Sequence, residues 1–173
     1  DVTIDGVTNE YYYGATVKTP AAAEKVYTKA AATIALSANT TLGVVNTYTK
    51  IPLDTLVLST SDRLTMQSNS IRIGANITHV KVSGQALLKC GSTTGNRHVR
   101  IQKESNGTTT SIAWACVYGV ATSNTAYSLP AIIVAVKEGD LLKMAQYTSD
   151  STDMNASGSS ANGWQTYLTV EEL

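Results

Sequence analysis

Along most of the chain beyond residue 49, apolar and polar positions alternate with period two. Ile71, Ile73, Ala75 and Ile77 alternate with Arg72, Gly74 and Asn76. Val80, Val82, Gly84, Ala86 and Leu88 alternate with Lys81, Ser83 and Gln85, and Val99 and Ile101 with Arg100 and Gln102. Ile112, Trp114, Cys116, Tyr118 and Val120 stand two apart, as do Ile132, Val134 and Val136, and then Trp164, Thr166, Leu168 and Val170. Successive side chains of an extended chain point to opposite faces, so each run predicts a strand with one buried face. Turn chemistry divides the runs. Asn106-Gly107 lies between two of them and predicts a tight hairpin, because both residues tolerate the left-handed backbone that such a turn requires. Glu138-Gly139-Asp140 predicts a second reversal between Val136 and Leu141. Residues 149–163 are rich in Ser, Asn, Asp and Gly and read as a long loop. Many short strands at regular spacing predict an all-β sandwich or jelly roll of two antiparallel sheets.

The first forty residues have a different texture. Tyr11-Tyr12-Tyr13 opens an extended segment, and Thr19-Pro20 supplies a helix start before Ala21-Ala22-Ala23-Glu24-Lys25. From Val26 to Leu36 the pattern predicts a short helical turn followed by a strand. The chain therefore divides into an N-terminal leader or stem at 1–40 and a head domain at 41–173. Opening at Asp1 rather than Met, it reads as a piece of something longer.

Composition narrows the function classes. Charged residues make up 15% of the chain, against about 25% in an average soluble protein. The net charge is +0, so no broad field favours nucleic acid or an anionic membrane. No stretch approaches the roughly 20 apolar residues of a transmembrane helix. Low charge combined with 43% hydrophobic residues predicts a surface partly covered by neighbouring chains, as in an obligate oligomer. Cys90 and Cys116 have no metal-type spacing and read as small buried apolar residues, with a disulfide between them as the alternative.

The order of segments in residues 49–173 resembles the jelly-roll head shared by the complement globular heads and the tumour-necrosis-factor superfamily. Thr49–Asp54 looks like that family's first strand. Ser70–Ile73 followed by Val80–Ala86 looks like its central hairpin, and Lys103-Glu104-Ser105-Asn106-Gly107 like its strand ending in an Asn-Gly turn. Ile132–Val136 running into Gly139-Asp140 resembles its apolar strand and Gly-Asp turn, and Thr166–Val170 its last strand. The family's cores are rich in Phe and Tyr, whereas this chain has no Phe; Trp114 and the aliphatic residues must fill that volume. The resemblance implies a homotrimer. Low charge, Thr/Ser/Asn-rich loops and an Ala-rich leader are similar to the heads of bacteriophage tail fibres and baseplate proteins. That likeness implies a virion protein, outside the cell, whose partners are other tail proteins and a host-surface saccharide.

No constellation predicts catalysis. The two histidines, His79 and His98, fall at a strand bend and a strand start, where neither is paired by sequence with a nucleophile. The acids Asp54, Asp62, Glu104, Glu138 and Asp140 read as turn residues rather than facing carboxylates. Asp150, Asp153 and Asn155 offer oxygen atoms to a hard cation, but their spacing is not that of an EF-hand and no Glu closes the set. No cofactor is expected, and calcium in this loop stays an alternative. Saccharides are held by an aromatic face beside planar amides or carboxylates. Asp150, Asp153, Asn155, Asn162 and Trp164 supply that chemistry on and beside one loop, with Tyr127 a further candidate. Trp164 and Tyr127 read equally as core residues. Two other readings stay open: a structural virion fibre or capsid decoration without a ligand, and a secreted bacterial adhesin.

Overall fold

A computed structural model of the chain describes residues 2–4, 7–9, 28–42, 46–89, 95–119, 123–149, 155–156, 158 and 163–173. Its strands are β1 (Val2–Ile4), β2 (Val7–Asn9), β3 (Ala31–Ala35), β4 (Thr40–Thr41), β5 (Thr49–Lys50), β6 (Thr55–Ser59), β7 (Leu64–Met66), β8 (Ile71–Ile73), β9 (His79–Lys89), β10 (Gly95–Ser105), β11 (Thr108–Gly119), β12 (Asn124–Ala135), β13 (Leu141–Thr148), β14 (Asn155–Ala156) and β15 (Tyr167–Glu172). β1 and β2 pair with each other. The others form two antiparallel sheets. One runs β11-β10-β13-β8-β7, with β5 also on β13; the other runs β4-β14-β9-β15-β3-β6, with β12 on the free side of β9. This is the expected jelly-roll sandwich.

Its core is built by alternation. Val80, Val82, Ala86 and Leu88 from β9, Leu168 and Val170 from β15, and Ala32 and Ile34 from β3 project from one sheet. Val99 and Ile101 from β10, Leu142 and Met144 from β13, and Ile71 and Ile73 from β8 project from the other. Each large aliphatic side chain so buried contributes about 1.5–3 kcal/mol. Isoleucine, leucine and valine, with Met144 and Tyr127, fill the volume that phenylalanine would occupy. Polar partners then close the margins. Arg63 Nη1 and Nη2 donate to Glu172 Oε1 and Oε2 at 2.6 and 2.5 Å, and Glu172 Oε2 also accepts from the Ala30 N–H at 2.8 Å. This half-buried fork ties the end of β15 to the segments before β3 and β7.

The hairpin at Asn106-Gly107 forms as expected. Ser105 faces Thr108, and both turn residues have positive φ, 50° and 78°. Glu138-Gly139-Asp140 also turns, with Gly139 at φ 87° and the Lys137 N–H held by Asp140 Oδ2 at 3.1 Å. This reversal carries the chain from β12 in one sheet to β13 in the other.

Four expectations are corrected. First, Ala31–Ala35 lies between β15 and β6 in the seven-stranded sheet, so the sandwich begins before the boundary set at residue 40. Thr49–Asp54 is therefore not its first strand; only Thr49–Lys50 pairs, and it does so with β13. Second, β8 and β9 belong to different sheets and make no hairpin, because the chain crosses the sandwich between them. Third, Trp114, Cys116 and Tyr118 point outward, and the inward positions of β11 are Ala113 and Ala115. Ile101 pairs with Ala113 but Gln102 with Ser111, so Ile112 is an extra residue bulged out of the ladder. One such residue reverses the phase of every side chain beyond it. Fourth, Cys116 is in consequence an exposed free thiol rather than a buried apolar residue. Cys90 and the helical turn expected at 19–25 lie outside the described residues.

Candidate functional site

The outward face of the six-stranded sheet gathers an aromatic and basic cluster from four segments. On β10 the inward positions are Val99 and Ile101, which sends His98 and Arg100 to the outer face. Cross-strand pairing sets Cys116 and Tyr147 on either side of His98, and Trp114 and Ala145 on either side of Arg100. The segment leading into β5 lays Tyr48 alongside. The ring centroids of His98 and Tyr147 stack at 5.2 Å and 26°, those of Tyr48 and Tyr147 stand 5.1 Å apart, and His98 and Trp114 are 5.8 Å apart. Tyr48 Oη and His98 Nδ1 hydrogen-bond at 3.1 Å, and Tyr147 Oη donates to Asn46 Oδ1 at 3.1 Å. The Arg100 guanidinium lies 3.9 Å from the centre of the Tyr48 ring. Trp114 is 59% exposed at the edge of this platform. A large aromatic face left open beside fixed polar atoms is suited to an amphipathic ligand.

Electrostatics favour a neutral imidazole within this cluster. Burial, and then the adjacent Arg100 charge, lower the His98 pKa below its usual value of 6.5. Further along the same face, the hydrogen bond from Lys143 and its charge lower the Glu104 pKa. At the sandwich margin the Arg63 fork does the same for Glu172. The signs agree. A lowered histidine pKa gives stability that is full above pH 6.5 and is lost as pH falls through the folded value; lowered glutamates give stability that is full above pH 4.5 and is lost below it. Calorimetry is expected to show an unfolding temperature that is level above pH 6.5, declines below it, and falls more steeply under pH 4.5.

Of the six residues expected to bind saccharide, the structure describes Tyr127, Asn155 and Trp164. Tyr127 is 1% exposed and belongs to the core, and Trp164 is half-buried ahead of β15 in the opposite sheet. Asn155 sits in β14, paired with Thr41 and Lys89. Asp150, Asp153 and Asn162 lie outside the described residues. The platform was missed in the sequence, although one signal pointed to it: His98 and Arg100 are the polar members of an alternating run.

The outward face of the seven-stranded sheet is of another kind. Leu58, Thr33, Thr169 and Ser83 form one cross-strand row, and Tyr167, Gln85 and Ser128 the next. Thr33 Oγ1 and Thr169 Oγ1 hydrogen-bond at 3.0 Å. These rows carry no charge; Lys81 and Glu171 pair at 3.3 Å toward one end, beside the exposed Ile133.

No protein-family model and no curated protein sequence matches the chain. Solved structures do. Murine APRIL at pH 8.5 superposes with a TM-score of 0.62 at 14% identity, over 84% of this chain and all of that one. Murine APRIL at pH 5.0 gives 0.63 at 13% identity, again over 84% of this chain and 100% of that chain. The Eiger TNF from S. frugiperda gives 0.62 at 9% identity, over 84% of this chain and 92% of that chain. At such identities the likeness is one of fold, and the fold is a TNF-like jelly roll.

Proposed function

We propose that this chain is a homotrimeric attachment head of a bacteriophage tail fibre or baseplate, binding host-surface saccharide through its aromatic platform without catalysis. The observation that carries the binding role is Trp114, held open beside Tyr48 and the stacked pair of His98 and Tyr147 on the outer face of the sheet. A sugar ring stacks its C–H face on an indole, while its hydroxyls meet fixed partners such as Asn46 and Tyr48. The uncharged rows around Thr169 support self-association, since an oligomer interface is poor in charge at its centre. Three platforms on one particle turn weak single-site affinity into firm attachment through effective concentration. The platform and the uncharged rows lie on opposite faces of the sandwich, so assembly through one leaves the other open.

Glycan arrays and host-cell adsorption test the reading. Wild-type protein is expected to bind, and Trp114→Ala to lose affinity roughly thirty-fold, the effect of removing an anchor worth about 2 kcal/mol. Trp114 is largely exposed, so its far-UV circular dichroism is expected to be unchanged. Absence of wild-type binding on both arrays and cells would overturn the proposal.

A further inference from the structure

We infer that the saccharide this platform takes is acidic, and that Arg100 receives its carboxylate; the inference rests on the binding role proposed above. Arg63, Lys81 and Lys143 each pair with a carboxylate, from Glu172, Glu171 and Glu104 respectively. Arg100 does not, among the described residues. Its Nη1 donates to the exposed Ser111 hydroxyl at 3.2 Å, while its Nε is enclosed by the protein, which leaves the outer Nη edge of the guanidinium to meet a ligand.

The surroundings hold it ready for an anion. Lys50 stands across Ala145 from Arg100, with its Nζ donating to the Ser68 carbonyl, and Lys143 follows on β13. Glu104 is the carboxylate this group of cations meets, and it is spent on Lys143. Among the described residues positive charge therefore exceeds negative charge on this face, in a chain whose net charge is +0. The guanidinium carbon rests 3.9 Å from the centre of the Tyr48 ring, so less side-chain freedom is lost when it grips a ligand. A planar carboxylate matches that fork with two parallel hydrogen bonds. Trp114 faces Arg100 directly across the β10–β11 ladder. Aromatic face and guanidinium are thus cross-strand neighbours, so a ring stacked on Trp114 brings its attached carboxylate toward Arg100.

The test is calorimetric titration of the wild-type protein, Arg100→Gln and Arg100→Lys with three probes: a hexuronic acid tetrasaccharide, its carboxyl-reduced neutral counterpart, and a sulfated neutral tetrasaccharide. The wild-type protein is expected to bind the uronic acid probe at least ten-fold more tightly than either other probe. Arg100→Gln is expected to abolish the preference, so that the uronic acid probe binds no more tightly than the neutral one. Arg100→Lys, which keeps the charge and loses the fork, is expected to fall between. Equal affinity for acidic and neutral probes, a preference for the sulfated probe, or an acid preference that survives in Arg100→Gln would overturn this inference and leave saccharide binding standing. No binding of any of the three, together with blank arrays, would overturn both.

Discussion

Thr169→Arg is expected to convert the assembled protein to single folded chains. Thr169 lies at the centre of the uncharged face of the seven-stranded sheet, between Thr33 and Ser83. Its side chain is half-exposed in the single chain, so an arginine there extends outward without disturbing the core beneath. Assembly through this face would bury that charge opposite threonine, serine and glutamine side chains, and among the described residues these rows hold no carboxylate, Glu171 lying at the margin. An uncompensated buried charge costs about 3–5 kcal/mol, which is about two to four decades in the association constant. Sedimentation velocity at micromolar protein would show the loss of the larger species, while circular dichroism keeps its β signature. An assembly undisturbed by the substitution would mean that this face is not the one used.

The second large effect is on stability. Gly84 faces the core from β9 and pairs with Leu168 on one side and Leu129 on the other. A Cβ there would stand 2.8 Å from the Tyr167 carbonyl oxygen and 3.3 Å from Met144 Sδ, which comes down from the opposite sheet. Met144 can shift; the backbone carbonyl of the central strand cannot move without breaking its ladder. The register irregularity in β12 between Leu129 and Ile132 lies just beyond the same place. Gly84→Val adds branched volume where even one carbon is crowded, and overpacking of this kind costs about 1–3 kcal/mol. In a domain of this size each kcal/mol lowers the unfolding temperature by about 2–4 °C. A decrease of roughly 6–12 °C at fixed protein concentration is expected at the upper end. Wild-type stability in urea would show that the two sheets are not this close at Gly84.

The sequence made the fold legible wherever its determinants are local. Asn106-Gly107 announced its hairpin because the two left-handed residues are adjacent in the chain. The long runs of β9 and β10 announced their buried faces because alternation needs no knowledge of the partner strand. β11 misled for the opposite reason. Its bulge at Ile112 is defined only by pairing with β10, and a period-two reading carried across it puts Trp114, Cys116 and Tyr118 on the wrong face. The start of the sandwich was hidden in the same way. Ala31–Ala35 is a weak strand by propensity and is held in place by β15 and β6 on its two sides.

The aromatic platform was the least legible feature. Tyr48, His98, Trp114 and Tyr147 are far apart in the chain and meet only because β10 lies between β11 and β13. Composition drew attention instead to the Asp- and Asn-rich loop after Ser149, where the polar residues are contiguous. Tyr127 shows the limit of residue type as a guide. It follows the alternation of β12 into the core, packed with Leu129, and is not presented to a ligand. Trp114 and Tyr127 are both aromatic residues on long strands, and a single bulge, two positions from Trp114, helps send them to opposite environments.

The claim on which the rest depends is that copies of this chain associate through the uncharged sheet face and carry their platforms outward as a set of three. Multi-angle light scattering on the purified protein tests it most directly. A mass of three times 18.3 kDa, holding across a ten-fold dilution, is the expected result. A mass of one chain at every concentration would contradict it.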